Sequence, residues 1–132
     1  MKQKFIIGDI VMYDNKVMAI KEPRDGSHFD LSCHKEGLVY FFVSVEDIAP
    51  IPLTPEILEK NGWEFAECHK DEDGFEWHIF SKDGILLDLY YYPADKDFSV
   101  FICGEEALPD VKWVHQLQHS LFGLGLNSEM EV

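Results

Sequence analysis

The chain has 132 residues, 25 acidic against 11 basic side chains, and a formal charge of -14. At that length one domain can bury a core without disulfide or metal staples, and ten Phe, five Tyr and three Trp supply ample buriable surface. The acidity excludes direct binding to nucleic acid or an anionic membrane, because the basic residues stand singly among acids rather than in a stripe; solubility, or a basic protein partner, accounts for it.

Cys33, Cys68 and Cys103 are odd in number and form no CxxC pair, which does not read as a secreted disulfide framework. The opening MKQKFIIGDIVMYDN breaks its apolar run at Gly8 and Asp9, so it fits neither a signal peptide nor a membrane helix. A reduced, cytoplasmic setting is the expectation.

From Phe5 to Ile51, short apolar runs alternate with turn residues. Strands are expected at Ile6 to Tyr13, Lys16 to Lys21, Phe29 to Cys33 and Leu38 to Val45, with hairpin turns at Asp14-Asn15 and Asp25-Gly26. Strand count and spacing point to a small SH3-like β-barrel over 1–52. A short helix follows in IPLTPEILEKNG: Thr54 caps it, Pro55 suits its first turn, Glu56 complements its dipole and Gly62 ends it. This helix marks a boundary, after which 53–132 forms a second part of what is expected to be one compact unit.

Beyond it, Trp63 to His69, Phe75 to Phe80, Ile85 to Tyr92 and Phe98 to Cys103 read as an antiparallel β-meander turning at Asp73-Gly74, Asp83-Gly84 and Pro93 to Asp97. A last helix is expected from Pro109 or Asp110 to about Leu124. Its helical periodicity places Val111, Trp113, Val114, Leu117, Leu121, Phe122 and Leu124 on one half, to pack on the meander, and Lys112, Gln116, His119 and Gly123 on the other. The fold class is therefore α+β.

The segments IGDIVMYDNKVMAI, DIAPIPLTPEILEKNGW and VKWVHQLQHSLFGLGL resemble an uncharacterised family of short acidic bacterial proteins associated with gut anaerobes and their mobile elements. The resemblance implies one compact unit and carries no activity, substrate or catalytic residue. His119 stands where similar proteins tend to carry Asn, and Gly123 and Gly125 fall within the last helical turns, which departs from the family pattern.

Several constellations invite a chemical reading. His115 and His119 form an HxxxH pair with the i, i+4 spacing of a zinc site, but Gln116 stands where a metallopeptidase needs its Glu and no third ligand is evident. A metal-assisted hydrolase on these two histidines is kept only as an alternative. Cys33-His34 and Cys68-His69 look like a split zinc site, yet neighbouring strand residues face opposite ways; Cys33 shares phase with buried-type Phe29 and Leu31, leaving His34 outward, while His69 shares phase with Trp63 and Phe65. Asp71 to Gly74 holds a fragment of a calcium loop, better read as a polar hairpin tip. Gly123 to Gly125 closes a helix, where carbonyls rather than amides are exposed, so it is no phosphate cradle. No cofactor, metal or enzymatic activity is expected.

The second face of the meander is the most informative feature. With Phe75, Trp77, Ile79, Ile85, Leu87, Leu89 and Tyr91 turned to the helix, Phe80, Tyr90, Tyr92 and Phe101 face the other way, covered by the N-terminal part or exposed to a partner. Tyr13, Tyr40 and Phe42 make a second aromatic patch. The leading expectation is a non-enzymatic protein-interaction module of a bacterial accessory or mobile-element system; an acidic mimic of nucleic acid, or an inhibitor of a basic effector, is the alternative.

Overall fold

The structure is a computed structural model describing residues 5–33, 35–102 and 105–132. His34 and Cys103, singled out above, lie outside the described residues. The chain is α+β and divides into two units, the first running to Pro52 and resuming at Trp113–Met130, the second comprising Leu53–Lys112 with Glu131–Val132.

The first unit holds a five-stranded antiparallel sheet ordered β4-β3-β2-β1-β5, from β1 (Ile10–Tyr13), β2 (Lys16–Asp25), β3 (His28–Cys33), β4 (Leu38–Ser44) and β5 (Ala49–Pro50). Asp14 and Asn15 turn β1 into β2 with φ of 51° and 59°, left-handed angles that match a two-residue hairpin to the twist of its strands. Period-two alternation buries Phe29, Leu31 and Cys33 along β3, and they join Phe5, Val11, Met18, Ile20, Val43 and Ile48 in one apolar cluster. A 3-10 turn at Val45–Asp47, capped by Ser44, leads into β5. The sheet is open, with β4 and β5 at its two ends.

In the second unit, α1 (Pro55–Lys60) forms as its sequence dictates. Thr54 Oγ1 accepts a hydrogen bond from Ile57 N at 3.2 Å, Pro55 opens the first turn, and Gly62 supplies the φ of 88° that ends it. Its Leu58 is fully buried. A second antiparallel sheet follows, ordered β10-β9-β8-β7-β6, from β6 (Glu64–Lys70), β7 (Glu76–Ser81), β8 (Leu87–Tyr92), β9 (Asp97–Ile102) and β10 (Glu105–Val111).

Two expectations about the C-terminal third are corrected. Residues 109–111, expected to begin the last helix, instead end β10, which pairs with β9, with Leu108 opposite Val100 and Val111 opposite Phe98. Pro109 is tolerated there because β10 is an edge strand with two register shifts. The helix α2 (Val114–Gly123) starts only after Trp113, whose backbone N donates to Gln116 Oε1 at 3.0 Å.

Moreover, α2, expected to pack on the meander, belongs to the first unit and lies against β1. Gln118, buried there, ties it down, accepting from Ile10 N at 2.9 Å and donating to the carbonyls of Gly8 and Ser128. The expected apolar half of α2 also shifts: Val114, Leu117 and Leu121 are buried, but so are His115 and Gln118, whereas Phe122 is 67% exposed. The first unit thus takes in 113–130 as well as the chain up to Pro52.

Candidate functional site

In the second sheet, cross-strand neighbours share a face, so register decides which rings lie together. Phe80 pairs with Leu89 and Leu89 with Val100, and all three are buried. Tyr90 pairs with Ile79 and Ser99, and Phe101 with Asp88. Tyr90, Tyr92 and Phe101 therefore share the outer face as expected, while Phe80 sits on the covered face, 2% exposed. This corrects the grouping of Phe80 with the other three. It also moves Trp77 and Ile79 to the outer face, because the β7–β8 loop sets the relative phase and a one-residue slip inverts a strand.

The outer face is a chain of stacked rings. Tyr90 and Phe101 stack with centroids 3.9 Å apart, Phe75 stacks on Tyr92 at 5.7 Å, and Trp77 stacks on His69 at 5.5 Å. Burial raises the Tyr92 hydroxyl pKa, against a hydrogen bond with Ser99, and the carboxylates of Glu106, Asp110 and Asp97 push it the same way. Tyr90, Tyr92 and Phe101 are each only half-buried.

The first unit carries more exposed apolar surface, on β4. Tyr13 and Tyr40, two of the three rings in the expected second patch, meet edge to face at 5.5 Å and lie against the core. The third, Phe42, is different. Between Leu31↔Tyr40 and Phe29↔Val43 the register slips, so Phe41 and Phe42 together oppose the single residue Asp30. This β-bulge turns both rings outward, leaving Phe41 63% and Phe42 60% exposed.

Phe42 adopts φ of 55°, a left-handed angle disfavoured for any residue with a bulky side chain. Asp30 holds it there: its carboxylate is 2% exposed, one oxygen accepts from Phe42 N at 3.1 Å, and the other takes the Arg24 guanidinium. The Arg24 hydrogen bond, ahead of all other causes, keeps the Asp30 carboxyl below the usual carboxylate range. The Arg24 guanidinium also lies 5.6 Å from the centre of the Phe42 ring. Among the described residues β4 has a strand neighbour on one side only, and Leu38 and Val39 on it are also exposed.

The two histidines of the HxxxH pair have different surroundings. His115 is 2% exposed against Phe5, with ring centroids at 4.9 Å, and burial first, then nearby His119, lowers its pKa to about 4. His119 instead directs Nε2 at Asp9 Oδ2, 2.7 Å away, and the same carboxylate oxygen accepts from Ile6 N. Asp9, 1% exposed, has its pKa raised by burial despite these bonds. Among the described residues, three metal-capable donor atoms converge not here but at Cys68, Glu76 and His78.

Cys33 is buried and Cys68 exposed, and the two stand in different units. The Asp71 tip is a hairpin turn whose carboxylate accepts from Asp73 N and Phe75 N. Sequence reasoning missed the Phe41–Phe42 bulge and the convergence of Cys68 with Glu76 and His78. Two adjacent Phe in a strand were the visible sign of the first, since strict alternation cannot bury both on one face.

No protein-family model, curated protein or solved structure was found to match the chain.

Proposed function

We propose that this protein is a non-enzymatic interaction module that docks a partner protein on the Phe41–Phe42 bulge and the open edge of β4. The observation that carries the reading is Phe42, a large apolar side chain held exposed in a left-handed conformation by the buried Asp30 carboxylate and Arg24. Strain of this kind costs about 1–3 kcal/mol, and a fold without use for the ring has a simpler solution in Gly or Asn at that position. Adjacent aromatic side chains on an unpaired edge suit a partner strand that takes up the free backbone groups and covers both rings.

The strand order, with a 3-10 turn before a β5 that pairs with β1, supports an SH3-like arrangement of the first sheet that stays open along β4. A role in a bacterial accessory or mobile-element system, and a basic character for the partner, rest on the family resemblance and on the charge of -14.

Affinity capture from native extract tests this, comparing wild type with Phe41→Ser/Phe42→Gly and with Tyr90→Ala/Tyr92→Ala. Loss of the captured partner with the first pair and retention with the second supports docking on β4. A partner retained by Phe41→Ser/Phe42→Gly refutes it, and one lost only with Tyr90→Ala/Tyr92→Ala moves the contact to the outer face of the second sheet.

A further inference from the structure

The β6–β7 hairpin joins two strands that the sequence separates by an acidic turn, and it sets Cys68 directly opposite His78 and Lys70 opposite Glu76. All four side chains emerge on one face, with Glu76 diagonal to Cys68. Cys68 Sγ donates to Glu76 Oε1 at 3.1 Å, and His78 Nε2 lies 3.2 Å from that same oxygen. The three donor atoms are all within 4.8 Å of one another.

We propose that Cys68, Glu76 and His78 form a binding site for a divalent transition-metal ion of the zinc class. Zinc bound to sulfur, nitrogen and oxygen at about 2.0–2.3 Å in a tetrahedron separates its ligands by about 3.3–3.7 Å. The two hydrogen-bonded separations already lie close to that edge length, so an ion enters with small side-chain rotations rather than a backbone rearrangement. A thiolate, an imidazole and a carboxylate are the ligand set that borderline-soft ions take, while magnesium and calcium prefer oxygen alone. Thiolate and carboxylate together cancel the two positive charges of the ion. On binding, the thiol proton now donated to Glu76 leaves to solvent, and sulfur and Oε1 turn from each other to the metal.

Position favours access. Cys68 and Glu76 are exposed and His78 is half-buried, at the end of the hairpin where burial falls away from Phe80. Three protein ligands leave a fourth position for water or for a side chain of another molecule. The two rings beside His78, Phe65 at 5.6 Å and Tyr91 at 6.1 Å, brace its imidazole edge to face.

The test is titration of the full-length, tag-free, reduced and metal-stripped protein with Co²⁺, followed by Zn²⁺. One Co²⁺ per chain, with a thiolate-to-cobalt charge-transfer absorption that Zn²⁺ abolishes, is the expected result. Cys68→Ser should remove the absorption, and Glu76→Gln and His78→Ala should each weaken binding at least about tenfold. All three positions reach solvent, and an unchanged thermal melt of the metal-free variants confirms that they fold. His115→Gln should leave the absorption intact. No charge-transfer absorption in wild type, or one that survives Cys68→Ser and is lost with substitution of Cys33, Cys103 or His115, overturns the proposal.

Discussion

Lowering the pH from about 7.5 to about 5 should cost the folded protein about 2 kcal/mol through His115 alone. Its imidazole is 2% exposed under Phe5, and burial lowers its pKa from the usual 6.5 to about 4. Above 6.5 neither folded nor unfolded chain carries a proton there, so the stability tied to the neutral ring is fully present. Between 6.5 and about 4 the unfolded chain binds a proton that the folded one refuses, and that stability drains away. A tenfold change in an equilibrium is about 1.4 kcal/mol, giving about 2 kcal/mol by pH 5 and about 3 kcal/mol once the folded ring itself titrates. Against a total stability of about 5–15 kcal/mol, that is a large share.

Urea unfolding followed by tryptophan fluorescence, on wild type and His115→Gln at both pH values, isolates the effect. The carboxylates titrate in both proteins and cancel in the difference. An equal loss of stability in the two proteins, or an NMR titration of the folded His115 imidazole centred near its usual value, refutes the reasoning.

Substitutions at Phe42 separate strain from packing. Phe42→Gly should change stability by less than about 0.5 kcal/mol, since relief of the left-handed penalty offsets the lost ring contact with Arg24 and the added chain entropy, whereas Phe42→Val, which cannot adopt φ of 55° without clash, should destabilise by about 1 kcal/mol or more. Chemical denaturation of both variants checks the pair. Leu58→Ala, at a fully buried position on α1, should cost about 3 kcal/mol and lower the urea midpoint without changing its slope. Thr54→Ala removes the acceptor for Ile57 N and should cost about 1 kcal/mol, measured as a drop in melting temperature.

Local signals in the sequence were sufficient for elements whose cause is local. Asp14-Asn15 specified its turn, Thr54, Pro55 and Gly62 bounded α1, and the alternation of Phe29, Leu31 and Cys33 sorted β3 onto the core, because each rests on backbone angles or periodicity within a few residues. Residues 109–111 show where that stops. Their helix-compatible spacing yields to pairing with β9, whose hydrogen bonds come from the neighbouring strand.

The face assignment of Phe80 depended on one residue of register across the β7–β8 loop, and period two leaves that choice to the partner strand. The placement of α2 was likewise settled by Gln118 reaching the backbone of Gly8 and Ile10, more than a hundred positions away. Composition, turns, caps and strand periodicity were thus the sequence's own to determine. The outward turn of Phe41 and Phe42 against Asp30, and the meeting of Cys68, Glu76 and His78, were decided only by tertiary structure, since both arise from which residues stand opposite one another once strands pair.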